Sequence, residues 1–288
     1  MGSTTSPTIP VESARNQLEL LALLPVLYGN GLDTCFPCPP ELFAEIIRIN
    51  HLRSRTNSAS AISSGKELSL LQAGKCSAAL DVLRRIRAFS PDTWAADVVY
   101  SIANAKSKSI TAQQDATAAA TTPDFHGWQS LALIYQAAVG IYCIASLSPN
   151  HITPEPDTAT ASINNREIFI QARQTCRTLL LTHLHNIVTT PSTKQSIKQS
   201  TQLRKLLLWP LVVAGIEAEN DPATQQFVAD ELRWISVALG TASPLVAREV
   251  LERRVWGPGR MRTRMGMAMG SGAGGWEGLW ERGYVFVV

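Results

Sequence analysis

The chain has 288 residues, 45% of them hydrophobic and 17% charged, with a formal net charge of +3. That length can bury a large core, and the composition excludes a chain disordered throughout. A net charge this small gives no argument for nucleic acid by the field of the whole molecule. The cysteines, Cys35, Cys38, Cys76, Cys143 and Cys176, are odd in number and scattered. They fit a reducing compartment better than a disulfide framework. Residues 1–10 are rich in Ser, Thr and Pro and lack the basic start and apolar run of a secretory signal, so a disordered N-terminal segment is expected there.

The first predicted helix covers 12–27, with a leucine face of Leu18, Leu21 and Leu24, and stops at the turn signal Tyr28-Gly29-Asn30-Gly31. A second runs over 41–53 through Leu42, Ile46, Ile49 and Arg53, with Pro40 suited to its first turn. A Ser/Ala/Asn linker at 57–65 leads to a helical pair, 79–89 and 91–102, split by Ser90-Pro91, a cap followed by proline at the first helical position. Residues 112–122 are Ala/Thr/Gln-rich and read as a surface loop.

Residues 128–150 carry no charge, and 131–147 are apolar apart from Gln136, Gly140 and Ser146. That stretch is at the lower limit for a membrane span. Basic anchors are missing from its flanks, however, and Trp128, Leu131, Tyr135, Ala138, Tyr142 and Ala145 recur at helical spacing, so a buried core helix is expected. Prolines 149, 154 and 156 break the chain before a helix over 166–188, where Phe169, Ala172, Cys176, Leu179, His183 and Ile187 share a face.

In the last third, Leu203, Leu206, Leu207 and Leu211 mark a helix that Pro210 is expected to kink. Asp221-Pro222 caps the next, whose stripe is Val228, Leu232, Ile235 and Leu239 and which Gly240 stops. Ser243-Pro244 opens a helix that runs to Trp256. Two-residue alternation appears only in 284–288, and no residue pattern recurs at a fixed repeat period. The prediction is an all-α fold: one domain of about ten helices over 11–288, with mobile loops near 54–66, 107–125, 148–164 and 257–275.

Candidate chemistry is thin. Cys35 and Cys38 have the spacing of half a zinc site or of a redox pair, but no second ligand pair stands elsewhere and the all-helical pattern denies a thioredoxin-like setting. His183 and His185, two apart on a helix, point to different faces and cannot share a metal. His183 is expected to be a hydrogen-bonded core residue and His185 solvated, while His51, His126 and His151 have no nucleophile motif beside them. No phosphate-cradling glycine loop occurs, and 266–275 reads as a flexible glycine-rich insertion. No catalytic, cofactor-binding or metal residue is therefore assigned, and no enzyme is expected. The one basic cluster is Arg253, Arg254, Arg260, Arg262 and Arg264, with no acid among them. It reads as a solvated helix end, with nuclear import or nucleic-acid contact as the functional alternative.

Several stretches resemble the fungal-specific transcription factor domain, the helical regulatory region that follows the DNA-binding cluster of fungal zinc-cluster (Zn2Cys6) transcription factors. The similar pieces are 39–43 with 45–53, then Leu206-Leu207-Leu208-Trp209-Pro210-Leu211 with Gly215-Ile216-Glu217-Ala218, then 227–256, and finally 276–280 with 284–287, all in the family's order. The resemblance implies control of transcription in the nucleus, partners in the transcription machinery, and dimerisation or a small-molecule effector as means of control. That family reads DNA through six cysteines on two zinc ions. No such series stands in this sequence, so direct DNA contact is not expected of this chain, and zinc is expected only with an upstream cysteine cluster. The rival readings are a helical enzyme enclosing a hydrophobic metabolite and a helical scaffold or membrane-associated protein. Against the enzyme, Asp81, Asp92, Asp97, Asp115 and Asp124 are dispersed rather than gathered into a metal-binding motif.

Overall fold

The computed structural model describes residues 11–29, 37–60, 65–110, 124–147, 159–189 and 201–257. Among them stand nine α-helices, a further helical segment at 201–205 and no strand: α1 Val11–Gly29, α2 Pro40–Ser60, α3 Gly65–Ala88, α4 Pro91–Ile110, α5 Phe125–Leu147, α6 Ala159–Thr189, α7 Leu208–Glu217, α8 Pro222–Leu239 and α9 Ser243–Val250. A π-helical turn, Leu251–Val255, continues α9. The all-α expectation holds, with a helix count close to the predicted ten.

The centre is α5. It packs against α2, α3, α4, α6 and α7, and thirteen of its residues between Leu131 and Leu147 are buried. A stripe was expected; burial runs around the whole helix, as its lack of charge on any side requires. Length and composition would let α5 cross a membrane, but 72% of its apolar window is buried inside this fold.

Local chemistry explains several boundaries. Ser90 Oγ accepts the Thr93 amide at 3.3 Å and so caps α4, and Asp124 Oδ1 accepts the Gly127 amide at 3.1 Å at the start of α5. Asp221 caps α8 by accepting from both the amide and the hydroxyl of Thr224, at 3.2 and 2.7 Å. Gly240 ends α8 in the left-handed region, φ 65°.

Pro210 corrects an expectation. It does not kink a continuous helix: residues 201–205 are helical, and the chain then tightens into two three-residue turns, Leu206 N to Leu203 O and Leu207 N to Arg204 O. Helix α7 begins at Leu208, so Pro210 lies in its first turn, where the missing amide would have had no helical partner. The expected loops are also narrower, since helix covers 54–60, 65–66, 107–110 and 159–164. Ser and Asn cost a helix only tenths of a kcal/mol each, and the neighbouring alanines offset them. Asp124, Phe125 and Gly257 are described as well; the remainder of those loops, the 1–10 segment and the 284–288 alternation lie outside the described residues.

Two faces are rotated from their sequence reading. On α6, Leu179 is exposed while Leu180 and Leu184 are buried with Phe169, Ala172 and Ile187. On α8, Leu239 is exposed while Val228, Leu232 and Ile235 are buried.

Candidate functional site

The buried polar residues lie on α2, with Glu45 and Asn50, and on α8, with Thr224, Glu231 and Ser236. The Glu45 side chain on α2, 5% exposed, accepts two bonds from Arg85 of α3, at 2.9 and 3.1 Å, and a third from Arg48 one turn along. The bond to Glu45 is the main reason the Arg85 guanidinium holds its proton above the ordinary range. Nearby, the Tyr142 hydroxyl of α5 hydrogen-bonds Asn50 Oδ1, and Arg53 Nη1 donates to the same hydroxyl at 3.4 Å. One turn earlier than Gly140, Gln136 donates to the carbonyls of Ile86 and Phe89 at 2.8 and 3.2 Å, closing the end of α3 onto α5.

An aromatic set fixes α5 to α7. The Tyr135 hydroxyl donates to the Leu206 carbonyl at 2.8 Å, the Tyr135 ring stacks on Trp209 at 6.1 Å, and Tyr142 meets Trp209 edge-on at 6.2 Å. Burial raises the pKa of both tyrosines, keeping them as neutral hydrogen-bond donors. Each of the polar groups just named thus has a structural partner, and the arrangement orients helices.

The thiols are equally quiet. Cys38, Cys143 and Cys176 all have pKa values pushed up, in each case chiefly by burial. That disfavours the thiolate needed for nucleophilic or redox chemistry. The Cys38 Sγ faces the Pro39 carbonyl at 3.6 Å, and Tyr28 donates to the Cys38 carbonyl at 2.7 Å, so Cys38 sits in a packed corner between α1 and α2. Its CxxC companion, Cys35, lies outside the described residues. Among the described residues no three His, Cys, Asp or Glu side chains are gathered as metal ligands.

His183 differs from its expectation. It is half-buried on α6, and its Nδ1 is buried without a hydrogen-bond partner. Burial lowers its pKa. His185 is exposed as expected, yet it stacks on Phe227 at 4.1 Å.

Of the basic cluster, Arg253 and Arg254 are described; Arg260, Arg262 and Arg264 are not. Arg253 is 76% exposed and pairs with Glu249 of α9 at 2.8 Å; Arg254 is also exposed. Between and beside them Leu251 and Val255 are buried, and Trp256 Nε1 donates to the Gly215 carbonyl at 2.8 Å, which pins this end of the chain to α7. Sequence reasoning missed the apolar surface at the α8–α9 corner, where Val237 (80% exposed), Leu239, Leu245 and Val246 all face outward. Their periodicity reads as core; only the packing partners of α8 and α9 decide which side is covered.

The sequence matches the family model of the fungal specific transcription factor domain over residues 1–257. The chain belongs to that family. Within the fungal specific transcription factor domain, the chain is 29% identical over 251 residues to the phomenoic acid biosynthesis cluster-specific transcriptional regulator of Leptosphaeria maculans. The match takes in 87% of this chain and 36% of that regulator, so the chain spans about a third of the relative's length. No solved structure matches.

Proposed function

We propose that this domain is the regulatory part of a transcriptional regulator: it acts in the nucleus, without catalysis of its own, through protein partners of the transcription machinery. The observation that carries the reading is the family match over nearly the whole described chain. The interior supports it, because the buried hydroxyls and carboxylate described above are committed to helix orientation and the buried thiols are held protonated. Homodimerisation and a small-molecule effector are the family's means of control carried to this chain by resemblance, with no residue assigned to either. Contact with DNA is assigned to no residue of this chain, and zinc is expected only if an upstream cysteine cluster exists.

The relative is named for one biosynthetic gene cluster. On that likeness the genes controlled here belong to a biosynthetic set. Deleting the coding sequence and profiling RNA tests this: transcripts of a physically clustered set of genes are expected to change together. An unchanged transcript profile across inducing conditions argues against the reading.

A further inference from the structure

The α8–α9 corner presents an apolar tip with charges ranked behind it on both helices. Val237, near the end of α8, is 80% exposed, and Leu245 and Val246, at the start of α9, are 44% and 46% exposed. The opposite sides of both helices are already in use, since Val228, Leu232 and Ile235 of α8 and Ala247 and Val250 of α9 are buried in the core. The turn between the helices is fixed. Gly240 takes the left-handed conformation, and Ser236 accepts the Thr241 amide at 3.2 Å and donates its hydroxyl to the Thr241 carbonyl at 2.6 Å.

On α8, Arg233 and Asp230 stand four and seven positions before Val237 and so share its face. On α9 and the π-helical turn that continues it, Glu249 and Arg253 stand three and seven positions after Val246 and share that face. All four are exposed. From the tip, α8 therefore reads apolar, positive, negative, and α9 reads apolar, negative, positive. Among the described residues Arg233 has no ion pair. Asp230 accepts from Gln226 at 2.8 Å, and Glu249 pairs with Arg253 at 2.8 Å in an exposed contact that exchanges readily for another partner.

We propose that this face pairs with a second copy of the chain about a two-fold axis running between α8 and α9; this supplies residues for the homodimerisation named above and rests on that reading. An axis in that position lays α8 of each copy along α9 of the other, whatever the angle between the helices. Val237 then meets Val246 of the partner subunit, Arg233 meets the partner's Glu249, and Asp230 meets the partner's Arg253. Each contact occurs twice, and none of these four charges opposes its own sign. They also sum to zero, which argues against nucleic acid or a strongly charged peptide as the occupant. The face is smaller than the roughly 20–30 residues a side of a standard interface, so the dimer is a reversible one.

Sedimentation velocity of the purified full chain between about 1 and 100 μM tests the pairing. The mean mass is expected to rise from monomer towards dimer and to stop there, as a closed two-fold contact requires. V237D and the charge reversals R233E and E249R are each expected to weaken association about tenfold or more, with circular dichroism and melting temperature unchanged. Mixing the R233E chain with the E249R chain is the decisive arm. Each alone sets like charges against each other twice, whereas the mixed dimer sets unlike charges together twice and is expected to associate within about threefold of wild type. A chain that stays monomeric over this range overturns the proposal, whether its own residues 258–288 or another protein covers the face. So does a dimer that all three substitutions leave intact, a mixture that fails to associate, or assembly beyond two copies. The RNA profile described above reads transcription without reference to mass, so self-association and the regulatory role fail separately.

Discussion

Gly215 holds its position by lacking a side chain. A Cβ there would lie 2.6 Å from Leu251 Cδ1, 3.2 Å from Leu251 Cδ2 and 3.3 Å from Trp256 Cζ2. The close approach of α7 to the π-helical turn depends on that space. Gly215→Ala is therefore expected to destabilise the fold by about 1–3 kcal/mol in urea unfolding, as overpacking does. Gly74 of α3 is the opposite case, with nothing within 4 Å of its added Cβ; Gly74→Ala is expected to stabilise by about 0.5–1 kcal/mol through helix propensity. Equal effects from the two substitutions would contradict the packing. His183 gives a pH signature. Burial lowers its folded pKa, so the unfolded chain binds the proton first and stability falls as pH drops below the ordinary histidine value of about 6.5. Because its Nδ1 has no partner to lose, His183→Leu is expected to be at least as stable as wild type at pH 7.5 and to gain on it towards pH 5.5. An advantage that shrinks over that range contradicts the burial.

Among the elements, helix starts were the most legible because they rest on local chemistry: Ser90, Pro40 and Asp221 cap or open the helices their residue types predict. Asp221→Ala is expected to cost about 1 kcal/mol at neutral pH, in the range of a lost cap. The Thr224 bonds hold the Asp221 carboxyl below the ordinary range. Its contribution is thus complete above about pH 4 and is lost as pH falls through the lowered folded value. The stability gap between wild type and variant should close in that acid window; a gap that closes already between pH 7 and 5 contradicts the cap. What the sequence did not reveal are features decided by tertiary partners. Pro210 looks like a kink until the turns before it are seen, and Leu179 and Leu239 fit a core period until α6 and α8 are packed. That α5 is a core helix was legible from its missing charges; its burial on all sides was not, and the tyrosine and tryptophan contacts that orient it join residues some seventy positions apart.

For the molecule as a whole, the fold class was readable from helical spacing, and the family from short packing motifs whose order mattered more than any one of them. The site was less legible, since a regulatory surface has no spacing rule comparable to that of a metal or nucleophile: Val237, Leu245 and Val246 are exposed only because of where their helices sit. As the regulatory part of a transcriptional regulator, this helical body is expected to change transcription when brought to a promoter. The most direct measurement fuses the chain, with an unrelated import peptide, to a foreign DNA-binding domain and reads a reporter carrying that domain's site. A reporter level that moves reproducibly up or down from the DNA-binding domain alone, and returns to it when Gly215→Leu disrupts the α7 contact, is the predicted result. A folded fusion that occupies the site and leaves the reporter unchanged would contradict it.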